Sequence, residues 1–237
     1  MTPEELTQRL RQAMPSGLRA VVLYGSAAAG DHLPGKSDYN VLVVADRLGP
    51  AELTALAAPS RAWAKAGYRP PLLFTPGELA GSADSFPIEL MDIKQSHRIL
   101  FGEDPLAGVA VSLDCLRVAL ERELKAKLLL VREQFLLTGG KPRQVVDLMT
   151  ASLSGLLVLF RAALRLYQDD VPVQKVEALL ALAGRVGFDP QVFLTVQALK
   201  EGRTRPREVV ADALFATYLK TVEDIVTAVD RYLHRPS

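Results

Sequence analysis

The residues of this chain whose types and spacing suit chemistry lie between positions 23 and 44, in "LYGSAAAGDHLPGKSDYNVLVV". Gly25 and Ser26 end one apolar run. Asp38 and Asn40 stand at the head of the next. A glycine lets a backbone approach a ligand closely. A serine opening a short helix, here "AAAGD", offers a hydroxyl and helix N-terminal N–H groups, which together suit a phosphate. Phosphates also call for a divalent cation, and a cation calls for oxygen donors. On a strand starting near Asp38, positions 38 and 40 point to the same side. Two acids at that spacing would face one pair of metals, the arrangement of two-metal phosphoryl transfer. Here the second position holds an amide.

At these residues the chain resembles the nucleotidyltransferase fold of the DNA polymerase beta superfamily. The signature of that family is G-S-x-x-x-G, a spacer and S-D-x-D, and it stands here as Gly25, Ser26, Gly30, Ser37, Asp38, Tyr39 and Asn40. The family has a third carboxylate on a later strand, and its small members often have another acid three residues on. "PIELMDI" fits that pattern, with Glu89 in the third-carboxylate position and Asp92 after it. "HRILFGEDP" is similar to the segment closing such domains. The resemblance covers residues 15–106. The order of a transferase domain followed by helices is similar to kanamycin nucleotidyltransferase-like proteins and minimal nucleotidyltransferases. It implies nucleotide binding at Gly25, Ser26 and Ser37, metal ligation by Asp38, Asn40 and Glu89, and catalytic roles for Asp38 and Glu89. Mg²⁺, with Mn²⁺ as a substitute, is the implied cofactor. The implied partners are an NTP and a small-molecule or protein acceptor.

Asn40 departs from the signature, and it is the only asparagine in the chain. Its carbonyl can ligate Mg²⁺ but brings no charge, and Mg²⁺ favours charged oxygens. The other reading of Asn40 is a residue hydrogen-bonded to its own backbone. If residues 86–94 form a strand, Glu89 and Asp92 fall on opposite faces, so one of them faces the site; the family spacing favours Glu89. Lys36 and Arg47 stand close enough in sequence to touch a phosphate, although lone basic residues are usually solvated. His32 reads as an exposed loop residue, His97 as structural, and Cys115 as core filling.

The elements that must position these residues follow from pattern. Thr2–Met14 reads as a helix, with Thr2 as cap, Pro3 in the first turn, and Glu4 and Glu5 at the positive end of the dipole. Leu18–Tyr24 and Tyr39–Ala45 read as strands, the second apolar enough to be buried on both faces. A helix over Pro50–Ala66, a short strand over Pro71–Phe74 and a third clear strand over Phe86–Lys94 follow. From about residue 112 only helical spacing appears: Ser112–Thr138, Pro142 to about Tyr167, 173–186, 190–201, and a last helix opened by Pro206 and reaching about Leu233. The expectation is an α+β chain. A small mixed-sheet domain spans 1–106 and a helical bundle 107–237, with the boundary in "FGEDPLAG" at 101–108.

Composition excludes several classes. The formal net charge of +1 offers no basic field for a nucleic-acid backbone. One cysteine permits no disulfide within the chain, which suits a reducing compartment. The N-terminal residues have no apolar core, so they do not read as a secretory signal. The apolar stretch at 148–160 reads as a buried helix too short for a bilayer. A cytoplasmic protein without a membrane partner is the expectation, and the leucine-rich helical half suggests a homodimer. There is no P-loop and no zinc-ligand cluster. The R-x(4–6)-H motif of helical ribonucleases is absent. Two functional readings stand: a transferase moving a nucleotidyl group to a hydroxyl, and a catalytically degenerate relative that binds a nucleotide or a partner in a regulatory or antitoxin-like role.

Overall fold

The computed structural model describes residues 1–25, 27–28 and 39–232. The chain divides into two compact units, Met1–Ser112 and Leu113–Ser237.

In the first unit, helix α1 (Pro3–Ala13) begins with a reciprocal cap. The Glu5 N–H donates to Thr2 Oγ1 at 3.2 Å, and the Thr2 N–H donates to Glu5 Oε2 at 2.9 Å. Strands β1 (Leu18–Tyr24) and β2 (Asn40–Ala45) come next, then helix α2 (Pro50–Lys65) and strand β3 (Leu72–Phe74). Helices α3 (Pro76–Gly81) and α4 (Pro87–Gln95) precede strand β4 (His97–Gly102). The sheet order is β3-β2-β1-β4. β1 pairs antiparallel with both β2 and β4, while β2 and β3 are parallel, so the sheet is mixed.

Alternation along the strands gives the sheet two apolar faces. Val21, Leu23, Val41 and Val43 pack with Leu6 and Leu10 of α1 and with Leu56 and Trp63 of α2. Ala20, Val22, Leu42 and Val44 pack with Leu79 of α3 and with Leu90 and Ile93 of α4. Trp63 is fully buried; its indole N–H donates to the Arg69 carbonyl at 2.9 Å. Its ring lies 4.4 Å from that of Tyr68 and 6.1 Å from that of Tyr39.

The strand expected over Phe86–Lys94 is a helix. Ile88 and Leu90 alternate as in a strand, but Leu90 and Ile93 are also neighbours at helical spacing, and Pro87 occupies the first turn with Glu89 beside it. The free edge of β1 is taken instead by β4, whose apolar run Ile99–Phe101 follows shortly after α4.

The second unit contains α5 (Leu113–Thr138), α6 (Pro142–Leu164), α7 (Lys175–Val186), α8 (Gln191–Lys200) and α9 (Ala211–Asp230). No strand occurs among its described residues. Pro206 opens only a 3-10 turn, Pro206–Glu208, and α9 begins at Ala211, so the long last helix expected from Pro206 is shorter at its start. By length and composition α6 could cross a membrane, so the apolar segment is longer than expected. In the fold it is the central helix, packed against α5, α7, α8 and α9. Phe160 meets Phe193 edge-on at 5.0 Å, and Phe193 meets Tyr218 at 5.3 Å. The buried Tyr218 hydroxyl lies 2.8 Å from Ser152 Oγ.

Candidate functional site

β1 ends in a turn that requires glycine. Gly25 has φ of +80°, a left-handed conformation that costs a side-chain-bearing residue free energy. The antiparallel register sets Tyr24 opposite Asn40, which brings the first residue of β2 beside this turn. A methyl group added at Gly25 would stand 3.2 Å from the Asn40 amide nitrogen. The amide thus lies against the bare glycine backbone. The Gly25 N–H donates to the Ser96 carbonyl at 2.9 Å, and its carbonyl accepts from the Ala28 N–H at 3.0 Å. Ser96 joins α4 to β4. The end of β1, the start of β2 and the α4–β4 junction therefore meet at one end of the sheet.

Asn40 stands two residues before Leu42, so by strand alternation it belongs to the sheet face that α4 covers. Glu89 is exposed on α4, and Asp92 is half-buried. The helix changes the relation expected between these two acids. Three residues apart on a strand they would point oppositely, whereas on a helix they are neighbours on one side. Among the described residues no group of three His, Cys, Asp or Glu converges as a metal site. Ser26, Gly30, Ser37 and Asp38 lie outside the described residues, as do His32, Lys36 and His234. Of the sequence candidates, Gly25 and Asn40 are brought together.

Three neighbours of this turn stand outside the candidates that the motif supplied. Tyr24 precedes Gly25, and burial raises its phenol above the usual range, against the opposing effect of the Arg69 charge. Ser96 supplies only its backbone carbonyl, a role no residue type reveals. His97, paired in register with Tyr24, has Nδ1 3.0 Å from the Lys94 carbonyl and Nε2 3.5 Å from Asp104 Oδ1. It joins the α4–β4 junction to the segment after β4, in keeping with the structural role read for it. Position in the motif marks Tyr24, the last strand residue before the glycine; Arg69 becomes visible only once Trp63 anchors its carbonyl.

No protein-family model matches the chain, and no curated protein matches it. Solved structures do match. One is spectinomycin adenyltransferase AAD(9) from Enterococcus faecialis, crystallised with ATP and spectinomycin. It is 14% identical, with 94% of this chain and 98% of that chain covered and a TM-score of 0.57. At that identity the likeness concerns the fold alone. The chain therefore shares its overall fold with that adenyltransferase.

Proposed function

We propose that this protein is a nucleotidyltransferase-like protein that binds a nucleoside triphosphate at the Gly25 turn and passes its nucleotidyl group to a hydroxyl acceptor. The observation carrying the reading is the left-handed Gly25 turn lying against Asn40 at the meeting of β1, β2 and the α4–β4 junction. Gly25 lets the chain come close to a phosphate, Ser26 offers its backbone N–H and hydroxyl, and Ser37 adds a second hydroxyl. The acceptor oxygen bonds to the α-phosphorus as the bond from that phosphorus to the bridging oxygen breaks. Pyrophosphate leaves, and the hydroxyl proton passes to a carboxylate, Asp38 or Glu89. The similarity to an adenyltransferase supports this reading. The protein acts in the cytoplasm as a homodimer.

Asp38, Asn40 and Glu89 are the residues that would hold a divalent cation. All three offer hard oxygen donors of the kind Mg²⁺ takes, with Mn²⁺ as substitute. Asn40 would contribute its amide oxygen. A bound cation supplies charge neutralisation on the triphosphate.

Asn40 also favours a second reading. With an amide where the resemblance expects an acid, the site holds one negative charge fewer, and the protein binds nucleotide or a partner without turnover. Thermal melts with Mg-ATP and Mg-GTP test binding, because a ligand selective for the native state raises the melting temperature. The expected result is a rise that Ser26→Ala combined with Asp38→Ala abolishes. No rise with any millimolar NTP would sink both nucleotide readings. Transfer is tested separately, by release of pyrophosphate with hydroxyl-bearing acceptors.

A further inference from the structure

α5 and α6 form an antiparallel hairpin joined through Gly139 and Gly140. A cleft of about 700 Å³ runs between them. On the α5 side it is lined by Lys127, Leu130 and Leu137, and on the α6 side by Asp147, Leu148 and Ala151. These positions recur at three-, four- and seven-residue spacing, so each helix turns one continuous stripe into the groove. α9 holds a different part of α5, through Arg132–Glu223 at 2.7 Å and Lys125–Asp230 at 3.7 Å. The groove is left apolar and open: Leu130 is 45% exposed and Leu137 77% exposed. Small residues on α6 let another backbone come near, Ala151 and also Gly155, across which Lys127 lies with Nζ 3.8 Å from where a methyl would stand.

Two opposite charges mark the groove. Neither Lys127 nor Asp147 forms an ion pair among the described residues. Lys127 lies beside Gly155, and Asp147 stands eight residues earlier on the same helix, about 12 Å along its axis. A charge of each sign, set apart along an apolar groove, is self-complementary under a two-fold axis perpendicular to the groove. Rotation carries Lys127 of one copy over Asp147 of the other and does the reverse at the other end. An isologous dimer has this reciprocity, in which residue i meets j and j meets i. A small ligand has no need of two separated opposite charges. An unrelated helix needs charges of its own to match them.

We propose that this α5–α6 groove is the surface through which two copies of the chain associate, α5 and α6 of one lying antiparallel on α5 and α6 of the other. The proposal rests on the homodimer reading above and names its interface; it does not depend on nucleotide chemistry. Leu130 and Leu148 lie between the charges and Leu137 just beyond Asp147, and the two Lys127–Asp147 pairs set register and orientation.

Light scattering and sedimentation equilibrium on the full chain test it. The wild type is expected at twice 25.8 kDa at high micromolar concentration. Lys127→Asp puts acid against acid at both ends, and Asp147→Lys puts lysine against lysine. Each single variant should dimerise about tenfold more weakly or worse. An equal mixture of the two should recover the dimer. In a mixed pair the introduced acid of one copy meets the introduced lysine of the other, and at the opposite end the native Asp147 meets the native Lys127. Loss of a fold cannot produce that recovery. Leu137→Glu, at a solvent-facing position, should also weaken association and decides the matter if a charge variant fails to fold. A monomeric wild type would refute the homodimer reading and this surface together. A dimer indifferent to all three substitutions would refute the surface and leave the homodimer reading standing. Monomeric single variants whose mixture stays monomeric would refute the Lys127–Asp147 pairing.

Discussion

Replacing Gly25 with alanine tests the geometry on which the candidate site depends. Two costs follow from the structure. The first is conformational: at φ of +80° a residue with a Cβ gives up about 1–2 kcal/mol. The second is contact: the new methyl meets the Asn40 amide nitrogen at 3.2 Å, so the amide must retreat by a few tenths of an ångström. Asn40 is half-buried and can yield, which limits the second cost to about 0.5 kcal/mol. The sum is a destabilisation of about 1.5–2.5 kcal/mol, read from denaturant unfolding of the wild type and variant. A double-mutant cycle separates the parts. In an Asn40→Ala background the contact cost disappears while the backbone cost stays, so Gly25→Ala should cost about 1–2 kcal/mol there. A neutral Gly25→Ala would refute the left-handed turn. A penalty unchanged by Asn40→Ala would refute the packing of the amide on the glycine.

Asn40→Asp restores an acid beside Asp38. If both contact a cation, melts across a Mn²⁺ titration should diverge, with the variant more metal-dependent than the wild type; parallel curves would remove Asn40 from any metal site. Gly102→Ala should cost about 3 kcal/mol or more, since its Cβ would meet the Arg19 carbonyl oxygen at 1.9 Å with φ at +81°, backbone against backbone; a variant as stable as wild type in urea would contradict the β1–β4 pairing. Burial pushes the Tyr218 phenol up to about 12, only partly offset by its hydrogen bond with Ser152. The native state therefore keeps this proton after the unfolded chain has lost it near pH 10. The associated stability is fully present below about pH 10 and is lost as pH rises toward 12, by up to about 2–3 kcal/mol. Tyr218→Phe should cost about 1 kcal/mol at neutral pH by removing its hydrogen bond with Ser152, whose hydroxyl keeps only the Met149 carbonyl, and should flatten the alkaline loss; an unchanged alkaline limb would show that another group controls it.

The parts of this fold that were legible in the sequence are those where local chemistry and global packing agree. Thr2 caps α1 as expected, with Glu5 completing a reciprocal box, and Gly139 and Gly140 separate two long helices as their spacing suggests. The runs 18–24 and 40–45 become paired strands. The segment 86–94 misled because Ile88, Leu90 and Ile93 satisfy both a two-residue and a helical period over so short a length. What decided it is tertiary: β4 takes the free edge of β1, leaving the preceding segment to cover a face. For the candidate site, glycine at position 25 signalled a turn, and the structure has one. The contact of Asn40 with that glycine arises from the β1–β2 register, which relates residues far apart in the chain and is invisible to local pattern. The relation of Glu89 to Asp92 inverted for the same reason that strand became helix.

Trp63 is the only tryptophan of the chain, and it is sealed in the first unit between α1, α2 and β2. Its indole fluorescence is therefore a private reporter of that unit, while far-ultraviolet circular dichroism is weighted toward the long helices of the other. Followed together through one denaturant titration, the two signals separate the unfolding of the units without labels or truncation. The ring also touches Tyr39, the neighbour of Asn40. A ligand that reorders the start of β2 should change the emission of Trp63, so binding at the candidate site can be followed in the unmodified protein.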